Sequence, residues 1–337
     1  MYFCSSFNDK NLFMSLITSI KTPIQEELQL FEKAFAASLQ SGNPLLSSVN
    51  EYVRQGNGKQ LRPILVLLCA KMCGTVNQST IESAISLELL HTASLIHDDV
   101  VDDTFERRGR KSVNAQWNNK VAVLSGDYML SNALNYATKT QNLRILELIS
   151  NIGMQLSDGE LLQLMNTEQS AITEEDYYNI IRKKTALLFS TCTEIGALSV
   201  CASENQRECL RNYGEYLGVC FQLKDDIFDY NEHANIGKPT GNDIRDGKLT
   251  LPLIYALRNT SGNEKERILR MIKDKDFTPE NVHDILSFAH ENGGIAYAEK
   301  QMDFYKKKAL AEIADFPDNA IKQSLLMSAE FAVERKK

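Results

Sequence analysis

Two clusters of aspartates with the same spacing are the residues of this sequence best suited to chemistry. The first is Asp98-Asp99-Val100-Val101-Asp102, followed by Asp103, and the second is Asp225-Asp226-Ile227-Phe228-Asp229. Like charges four residues apart share a helix face and destabilise the helix, and a bound cation offsets that repulsion. One such cluster is a common surface accident in a chain with 44 acidic residues, but two, each ending a largely apolar helix, are not. The pair predicts a Mg²⁺ site that also takes substrate phosphates.

Basic side chains accompany both clusters. Arg107 and Arg108 follow the first cluster, and Lys183-Lys184-Thr185 precedes the second. Arginine binds phosphate oxygens as a bidentate fork, and lysine supplies a compact charge. His91 lies seven residues before Asp98, on the same face of the predicted helix. The remaining basic candidates are Lys59, Arg62, Lys238 and Lys248. Any one of them alone is typical of a solvated surface, whereas together they predict a site for phosphorylated substrates.

The elements that position these residues are predicted to be helices, about a dozen in all, because helical spacing dominates and alternating strand patterns are scarce. The first cluster falls at the end of a predicted helix Ile81–Asp103. Thr173 with Asp176 reads as a cap before Tyr177–Glu194, and Ser203 with Gln206 as a capping box before Glu208–Tyr230. Thr278-Pro279 starts a further helix. Asn231–Lys248 is the longest irregular stretch and is predicted to be an ordered functional loop.

Length and composition favour one all-α domain over residues 1–337, with 1–20 as an irregular N-terminal arm. Hydrophobic residues make up 43% of the chain, and no apolar run is long enough for a membrane span. The net charge of 37 − 44 = −7 argues against a nucleic-acid partner. Seven cysteines without paired spacing, and no signal-peptide pattern, predict a cytoplasmic protein.

These residues together resemble the trans-polyprenyl diphosphate synthases, the family of farnesyl, geranylgeranyl and longer-chain synthases. The resemblance runs from about Gly58 to Pro252. It rests on both aspartate motifs with His91, Arg107-Arg108-Gly109 and Phe221-Gln222, and on the segments Val123–Asp127, Gly237-Lys238-Pro239, Gly241-Asn242-Asp243 and Lys248–Pro252. Asn57, Gln60 and Lys111 stand where the family commonly has Gly, Arg and Pro, and none of these departures removes a proposed ligand.

The resemblance implies an isoprenoid synthase helical bundle with a central substrate cavity, usually a homodimer. It implies Mg²⁺, about three ions per active site with substrate bound, held by Asp98, Asp102 and Asp225 with support from Asp99 and Asp229. The implied catalytic residues are these five aspartates together with Asp226, Lys184 and Lys238. The allylic diphosphate would contact Arg107, Lys184, Thr185, Gln222 and Lys238, and Lys248 is a further substrate-binding candidate. Isopentenyl diphosphate would contact Lys59, Arg62, His91 and Arg108.

The implied reaction needs no side-chain nucleophile. The allylic diphosphate ionises, the double bond of isopentenyl diphosphate attacks the cation, and a proton is lost. Ala93 and Ser94, five and four residues before Asp98, are small where similar synthases that stop at three isoprene units often carry an aromatic residue. Leu90 and Leu89 lie about one turn deeper. We therefore expect a product longer than farnesyl, a medium- or long-chain precursor of a quinone side chain. The alternative is that Ala93 and Ser94 are small for helix packing alone.

Two alternatives remain beside this prediction. A class I terpene cyclase shares the fold and the first motif but usually replaces the second with an Asn/Ser/Glu metal motif, so Asp225–Asp229 argues against it. The other alternative is a non-catalytic partner subunit, or a helical scaffold that only binds metal or prenyl chains. Partner subunits of the family usually lack the aspartate motifs, and both motifs are whole here.

Overall fold

The computed structural model of the chain describes residues 16–56, 58, 60–169, 172–230 and 241–335. Over these residues the chain is almost entirely helical, which confirms the all-α prediction. None of the described helices is both long enough and apolar enough to cross a membrane. The described chain divides into two compact units. Unit 1 lies within Met1–Gly153, Thr191–Arg211 and Phe316–Leu325, and unit 2 within Met154–Ser190, Asn212–Asp315 and Leu326–Lys337.

The centre of unit 1 is a long helix, α5, that carries the first aspartate cluster on its last turn. The helices of this part are α1 (16–21), a 3₁₀ turn Thr22–Ile24, α2 (Gln25–Ser38), α3 (Pro44–Gln55), α4 (Leu61–Cys73), α5 (Gln78–Val101), α6 (Val113–Gln116) and α7 (Asn119–Lys139). Helix α5 packs against α7, α4 and α2. The run Pro63–Ala70 in α4 is buried throughout, since an apolar helix of this kind is stable only inside a core.

A small antiparallel hairpin follows α5. Its strands are β1 (Glu106–Arg107) and β2 (Arg110–Lys111). The turn residues Arg108 and Gly109 both have positive φ, 55° and 72°, which is the geometry of the turn that matches strand twist in two-residue hairpins. The Tyr52 hydroxyl donates to the carbonyl of Lys111 at 2.8 Å, so α3 holds the hairpin in place.

Unit 2 is built around α13, which packs against α9, α15 and α16. The remaining helices of the chain are α8 (Leu143–Gln169), α9 (Glu174–Ile181), a π-helical segment Arg182–Ala186, α10 (Leu187–Ser199), α11 (Glu204–Asp229), α12 (Asn242–Arg245), α13 (Leu251–Asn259), α14 (Asn263–Lys273), α15 (Pro279–Glu291), α16 (Gly294–Glu312) and α17 (Ala320–Glu334). Tyr230, at the end of α11, is fully buried in the apolar core with Leu253 and Phe288. The Thr250 hydroxyl donates to the Tyr230 hydroxyl at 2.9 Å, which satisfies this buried phenol.

The predicted capping residues are confirmed, but two of the helices that they cap start earlier than predicted, α9 at Glu174 and α11 at Glu204 instead of Tyr177 and Glu208. Thr173 and Asp176 form a reciprocal capping box at the start of α9. Ser203 and Gln206 do the same before α11, with hydrogen bonds of 3.0 and 3.3 Å. Thr278 caps α15, whose first residue is Pro279.

Several predicted boundaries are wrong. The first-cluster helix is α5, which ends at Val101, so Asp102 is its C-cap and Asp103 lies outside it. The helix predicted over Tyr177–Glu194 starts at Glu174 and is interrupted by the π-helical segment. Residues 16–20, predicted to be irregular, are helical, while residues 1–15 lie outside the described part. Within the predicted loop Asn231–Lys248, α12 is helical and 231–240 is not described. The single domain over 1–337 stays a prediction.

Gly196 allows α10 to lie directly against α4, and its replacement should weaken the core of unit 1. A Cβ atom at Gly196 would lie 2.4 Å from the Val66 carbonyl oxygen and 3.0 Å from Cys69 Cβ. Because the clash is with backbone, we expect Gly196→Ala to lower the free energy of unfolding by about 1–3 kcal/mol. Thermal unfolding followed by circular dichroism measures this. Gly153→Ala, where no atom lies within 4 Å of the added Cβ, should melt at or slightly above the wild-type temperature. Equal melting of both variants would contradict the packing described.

Candidate functional site

The first aspartate cluster separates into exposed and buried carboxylates. Asp98 is half-buried on the last turn of α5, and Asp102 is exposed at its C-cap. The Asp102 amide donates to the Asp98 carbonyl oxygen at 2.8 Å, so the two side chains leave the helix one turn apart. Asp99 is only 3% exposed. The cluster therefore offers two carboxylates near solvent and one inside unit 1.

Asp99 holds the hairpin after α5. Its Oδ1 accepts from Arg107 Nε at 2.8 Å and lies 2.8 Å from a terminal guanidinium nitrogen of the same side chain. Its backbone carbonyl accepts from Asn114 Nδ2 at 3.1 Å. A buried carboxylate is stable only when paired, so Asp99 and Arg107 form one structural unit. Their predicted contacts to Mg²⁺ and to the allylic diphosphate stay predictions.

Arg62, His91 and Arg108 influence one another in unit 1. Burial, followed by the positive charges of Arg62 and Arg108, holds the pKa of His91 well below its usual range. At neutral pH this imidazole is therefore uncharged and able to hydrogen-bond. Burial raises the pKa of Glu88, one helical turn earlier, and both arginines oppose that rise. Arg62, His91 and Arg108 are three of the four residues predicted to bind isopentenyl diphosphate. The fourth, Lys59, lies outside the described residues.

Two backbone features shape the basic region formed by Arg62, His91 and Arg108. Arg108 Nη1 donates to the Gly56 carbonyl at 3.1 Å, and a Cβ atom at Gly58 would lie 2.7 Å from that nitrogen. Gln60, the residue before α4, has a φ of 54°, an uncommon conformation for a side chain with a Cβ. Such conformations concentrate at functional sites, because the surrounding structure must stabilise them.

The Val123–Asp127 segment of α7 contacts the start of the first cluster. His97 Nε2 lies 3.2 Å from the Val123 carbonyl oxygen and 3.3 Å from Asp127 Oδ1. A Cβ atom at Gly126 would lie 2.3 Å from the same nitrogen. Gly126 therefore provides the space in which the imidazole next to Asp98 sits.

The residues predicted to control chain length all lie on α5. Ala93, Leu90 and Leu89 are buried, at 1%, 2% and 0% exposed. Ser94 is half-buried, and its hydroxyl donates to the His91 carbonyl at 2.9 Å. Their control of product length stays a prediction.

The second aspartate cluster ends α11 in unit 2, and two of its carboxylates are buried. Asp229 accepts from the backbone amides of Asn242 at 3.1 Å and Asp243 at 2.9 Å, so its side chain caps α12. Burial, followed by repulsion from Asp243, raises the pKa of Asp226 to about 8. Asp225 is partly exposed and lies 2.9 Å from a guanidinium nitrogen of Arg335.

Four of the predicted substrate-binding residues meet in one cavity of unit 2, of about 170 Å³. They are Lys184, Thr185, Gln222 and Lys248. The polar lining also includes Gln163, Asn166, Thr167, Tyr177, Asp226, Asp243 and Thr250, and the apolar lining Ile172, Ile180, Ile181 and Leu249. Ammonium, hydroxyl and amide groups around one space suit an anionic group with several oxygens. Lys238, the remaining allylic candidate after Arg107, is not described.

The π-helical segment presents Lys184 and Thr185 to this cavity. Its extra residue is visible in the hydrogen bond from the Leu187 amide to the Arg182 carbonyl, and such bulges often mark functional sites. Lys184 Nζ lies 2.6 Å from Glu160 Oε1 and donates to Gln163 Oε1 at 2.9 Å. The Thr185 hydroxyl donates to Gln222 Oε1 at 2.8 Å.

Sequence reasoning did not single out Tyr177, Asp243 or Arg335 as site residues. Asp243 lies in the quoted segment Gly241-Asn242-Asp243, so a signal for it was present. Tyr177 and Arg335 contact the second cluster from positions 49 and 110 residues away, and helical spacing carries no information at that range. Among the described residues, no three His, Cys, Asp or Glu side chains converge as a ready metal site. Mg²⁺ binding that relies on substrate phosphates needs fewer protein ligands.

Comparison with known proteins finds similar chains over most of the sequence. The family model for polyprenyl synthetase matches residues 43–288. The octaprenyl diphosphate synthase of Haemophilus influenzae is 34% identical over 321 residues, covering 95% of this chain and 97% of that protein. The geranylgeranyl pyrophosphate synthase structure from Bacteroides thetaiotaomicron is 44% identical with a TM-score of 0.83, covering 95% of this chain and 100% of that one. The polyprenyl synthase of Caulobacter crescentus, solved with calcium and isoprenyl diphosphate, is 30% identical with a TM-score of 0.89, covering 95% and 98%.

The helical fold, the paired aspartate motifs and these similarities define a prenyltransferase with the all-α isoprenoid synthase fold. More narrowly, the chain belongs to the polyprenyl synthetase family.

Gly218 of α11 allows that helix to approach the π-helical segment, and its replacement should damage the cavity. A Cβ atom at Gly218 would lie 2.6 Å from Ala186 Cα, so the two backbones must separate. We expect Gly218→Ala to lengthen the Thr185–Gln222 hydrogen bond and to lower kcat/KM for prenyl transfer by at least about tenfold. Steady-state kinetics with each substrate varied measures the loss. Gly153→Ala should retain wild-type kinetics, and full activity of Gly218→Ala would show that this close approach is not required.

Proposed function

We propose that the protein condenses isopentenyl diphosphate with an allylic diphosphate, head to tail, and releases diphosphate. The observation that carries the proposal is the cavity of unit 2, where Lys184, Thr185, Gln222 and Lys248 surround one space beside the second aspartate motif. These groups supply donors to phosphate oxygens from several directions, as an allylic diphosphate requires. Lys238 and Arg107 complete the proposed allylic set.

Mg²⁺ is the proposed cofactor, with about three ions per active site. The donor set fits, because Asp98 and Asp102 offer oxygen ligands one turn apart near solvent and Asp225 is partly exposed. Asp99 and Asp229 would support these ligands through the partners they already hold. When bound, Mg²⁺ neutralises charge on the departing diphosphate. The Caulobacter crescentus relative, solved with a divalent cation and isoprenyl diphosphate, supports this proposal.

Isopentenyl diphosphate would bind in unit 1, where Arg62, His91 and Arg108 form the basic region, together with Lys59. The two guanidinium groups would pair with its phosphates, since arginine matches phosphate geometry in a bidentate manner. The uncharged His91 imidazole would donate one hydrogen bond without adding charge. Glu88, buried at 6% exposure, would limit the mutual repulsion of the two arginines.

The residues of the chain bind, orient and exclude water in this reaction. The carbon–oxygen bond of the allylic diphosphate breaks, and its electron pair leaves with the diphosphate. The double bond of isopentenyl diphosphate then forms the new carbon–carbon bond, and a proton passes to the released diphosphate. Lys184, Lys248 and the Gln222 amide would stabilise the leaving diphosphate, while Ile180, Ile181 and Leu249 keep water away from the cation.

The proposed product is longer than farnesyl and serves as a quinone side-chain precursor. Ala93 and Ser94 leave α5 without a bulky side chain one turn before Asp98, which supports passage of a growing tail. The Haemophilus influenzae and Bacteroides thetaiotaomicron relatives carry names for products of eight and four isoprene units, both above the three units of farnesyl.

We further propose a homodimer that acts in the cytoplasm. Helix α8 supports the dimer, because Met154, Leu161 and Met165 form one stripe and are 62%, 60% and 54% exposed. Exposed apolar stripes of this kind mark interaction surfaces, and closed symmetric dimers are the commonest soluble assemblies. The described cysteines are all free thiols, as a reducing compartment favours.

Turnover by the purified chain tests the proposed reaction. The protein is incubated with Mg²⁺, labelled isopentenyl diphosphate and separate geranyl, farnesyl and geranylgeranyl primers, and the products are dephosphorylated and sized. We expect a ladder of products longer than farnesyl, lost with EDTA and in an Asp98→Ala, Asp225→Ala double variant that retains its melting temperature. If the chain extends no primer, the alternative of a non-catalytic partner subunit or scaffold replaces the proposed function.

The same assay tests the chain-length proposal separately. Ser94→Phe should shorten the ladder, because an aromatic ring one turn before Asp98 obstructs the tail, whereas Ser94→Ala should leave the ladder unchanged. A wild-type product that stops at farnesyl would keep the enzyme class and overturn the role of Ala93 and Ser94.

A further inference from the structure

A continuous hydrogen-bond network links Tyr177 to Gln222 and Thr185, two of the residues proposed to bind the allylic diphosphate in the unit 2 cavity. Its hydroxyl donates to Asp226 Oδ2 at 2.5 Å. Asp226 Oδ1 accepts from Gln222 Nε2 at 2.8 Å, and Gln222 Oε1 accepts from the Thr185 hydroxyl at 2.8 Å. All four side chains line the cavity, yet the proposed reaction gives Tyr177 no part.

This network determines which atom of the Gln222 amide faces Asp226 and which faces Thr185. A glutamine amide can rotate by half a turn and exchange its oxygen and nitrogen with almost no change in shape. Here the Gln222 nitrogen donates to Asp226 Oδ1, and the Gln222 oxygen accepts from Thr185. One N–H of the amide remains for a phosphate oxygen. The orientation of Gln222 therefore depends on the position of the Asp226 carboxyl.

Tyr177 is the donor that fixes that carboxyl. Asp226 is 2% exposed and Tyr177 3% exposed, so water does not substitute readily for either partner. The Tyr177 ring is itself held edge-on against Tyr178, with ring centres 5.4 Å apart. Asp243, which also lines the cavity, adds negative charge near Asp226, so a donor at this point matters more than it would for an isolated carboxyl.

We propose that Tyr177 is a positioning residue for prenyl transfer, acting through Asp226 to orient the Gln222 amide toward the allylic diphosphate. This inference rests on the proposed function. Tyr177 does not touch the reacting atoms, and its hydroxyl acts only by holding the carboxyl that holds the amide. The effect should therefore fall on the allylic substrate and not on isopentenyl diphosphate, whose proposed residues lie in unit 1.

The chain offers a matched control in the adjacent residue. Tyr178 is also buried, and its hydroxyl makes no hydrogen bond within the described part of the chain. Tyr178→Phe therefore removes a hydroxyl from the same helix without removing the network. We expect Tyr177→Phe to raise KM for the allylic diphosphate about tenfold, as when a buried acceptor loses its partner. KM for isopentenyl diphosphate should stay within about twofold, and Tyr178→Phe should match the wild type in both constants.

A double-mutant cycle separates positioning from general stability. If Tyr177 acts through Gln222, then Tyr177→Phe should add almost nothing to the allylic KM of Gln222→Met. Three results would overturn the inference: equal kinetics of the two Tyr→Phe variants, additive effects in the cycle, or a uniform loss in both substrates that follows a lower melting temperature. Failure of the proposed function can be distinguished from failure of this inference, because in that case neither the wild type nor Tyr178→Phe would make any prenyl product.

Discussion

The pairing of buried carboxylates is the interaction on which the rest of this structure depends. A buried carboxyl without a hydrogen-bond partner is costly, and more so when it is charged, so an aspartate inside either unit needs a fixed partner. Asp99 has Arg107, Asp226 has Tyr177 and Gln222, and Asp229 has two backbone amides. Arg107 belongs to a hairpin strand, Tyr177 to α9 and the two amides to the start of α12, whereas Gln222 lies on α11 with Asp226 itself. The carboxylates thereby join these elements to the helices that carry the motifs.

Because of this pairing, the aspartates within each motif have different structural roles. In the first motif the half-buried Asp98 and the exposed Asp102 lie one turn apart, while Asp99 anchors the hairpin that carries the two arginines. In the second motif Asp226 and Asp229 organise the cavity wall and α12, and Asp225 is partly exposed beside Arg335. Adjacent aspartates of identical chemistry thus differ in burial and in partners, and for this reason Asp98, Asp102 and Asp225 are the ones proposed to bind the cation.

The sequence predicts the local part of this arrangement well. Capping boxes, aspartate spacing and the shared face of His91 and Asp98 depend on neighbours within two helical turns. Lys184, Thr185, Gln222 and Lys248 are predicted from the basic segments and the family resemblance, and the structure brings them together in one cavity. The missed features are those that need distant residues. Nothing in local spacing reveals the bond of Tyr177 to Asp226, the stacking of Arg335 on Phe221 at 3.6 Å, or the π-helical bulge. The hairpin was missed because two-residue strands carry too few side chains for an alternating pattern.

The central claim is that the unit 2 cavity binds the diphosphate of the allylic substrate. A crystal structure with Mg²⁺ and a thio analogue of farnesyl diphosphate, which ionises too slowly to turn over, tests it most directly. We predict phosphate oxygens within hydrogen-bond distance of Lys184, the Gln222 amide nitrogen and Lys248. A diphosphate bound elsewhere, with this cavity empty or filled by the prenyl tail, would contradict the claim.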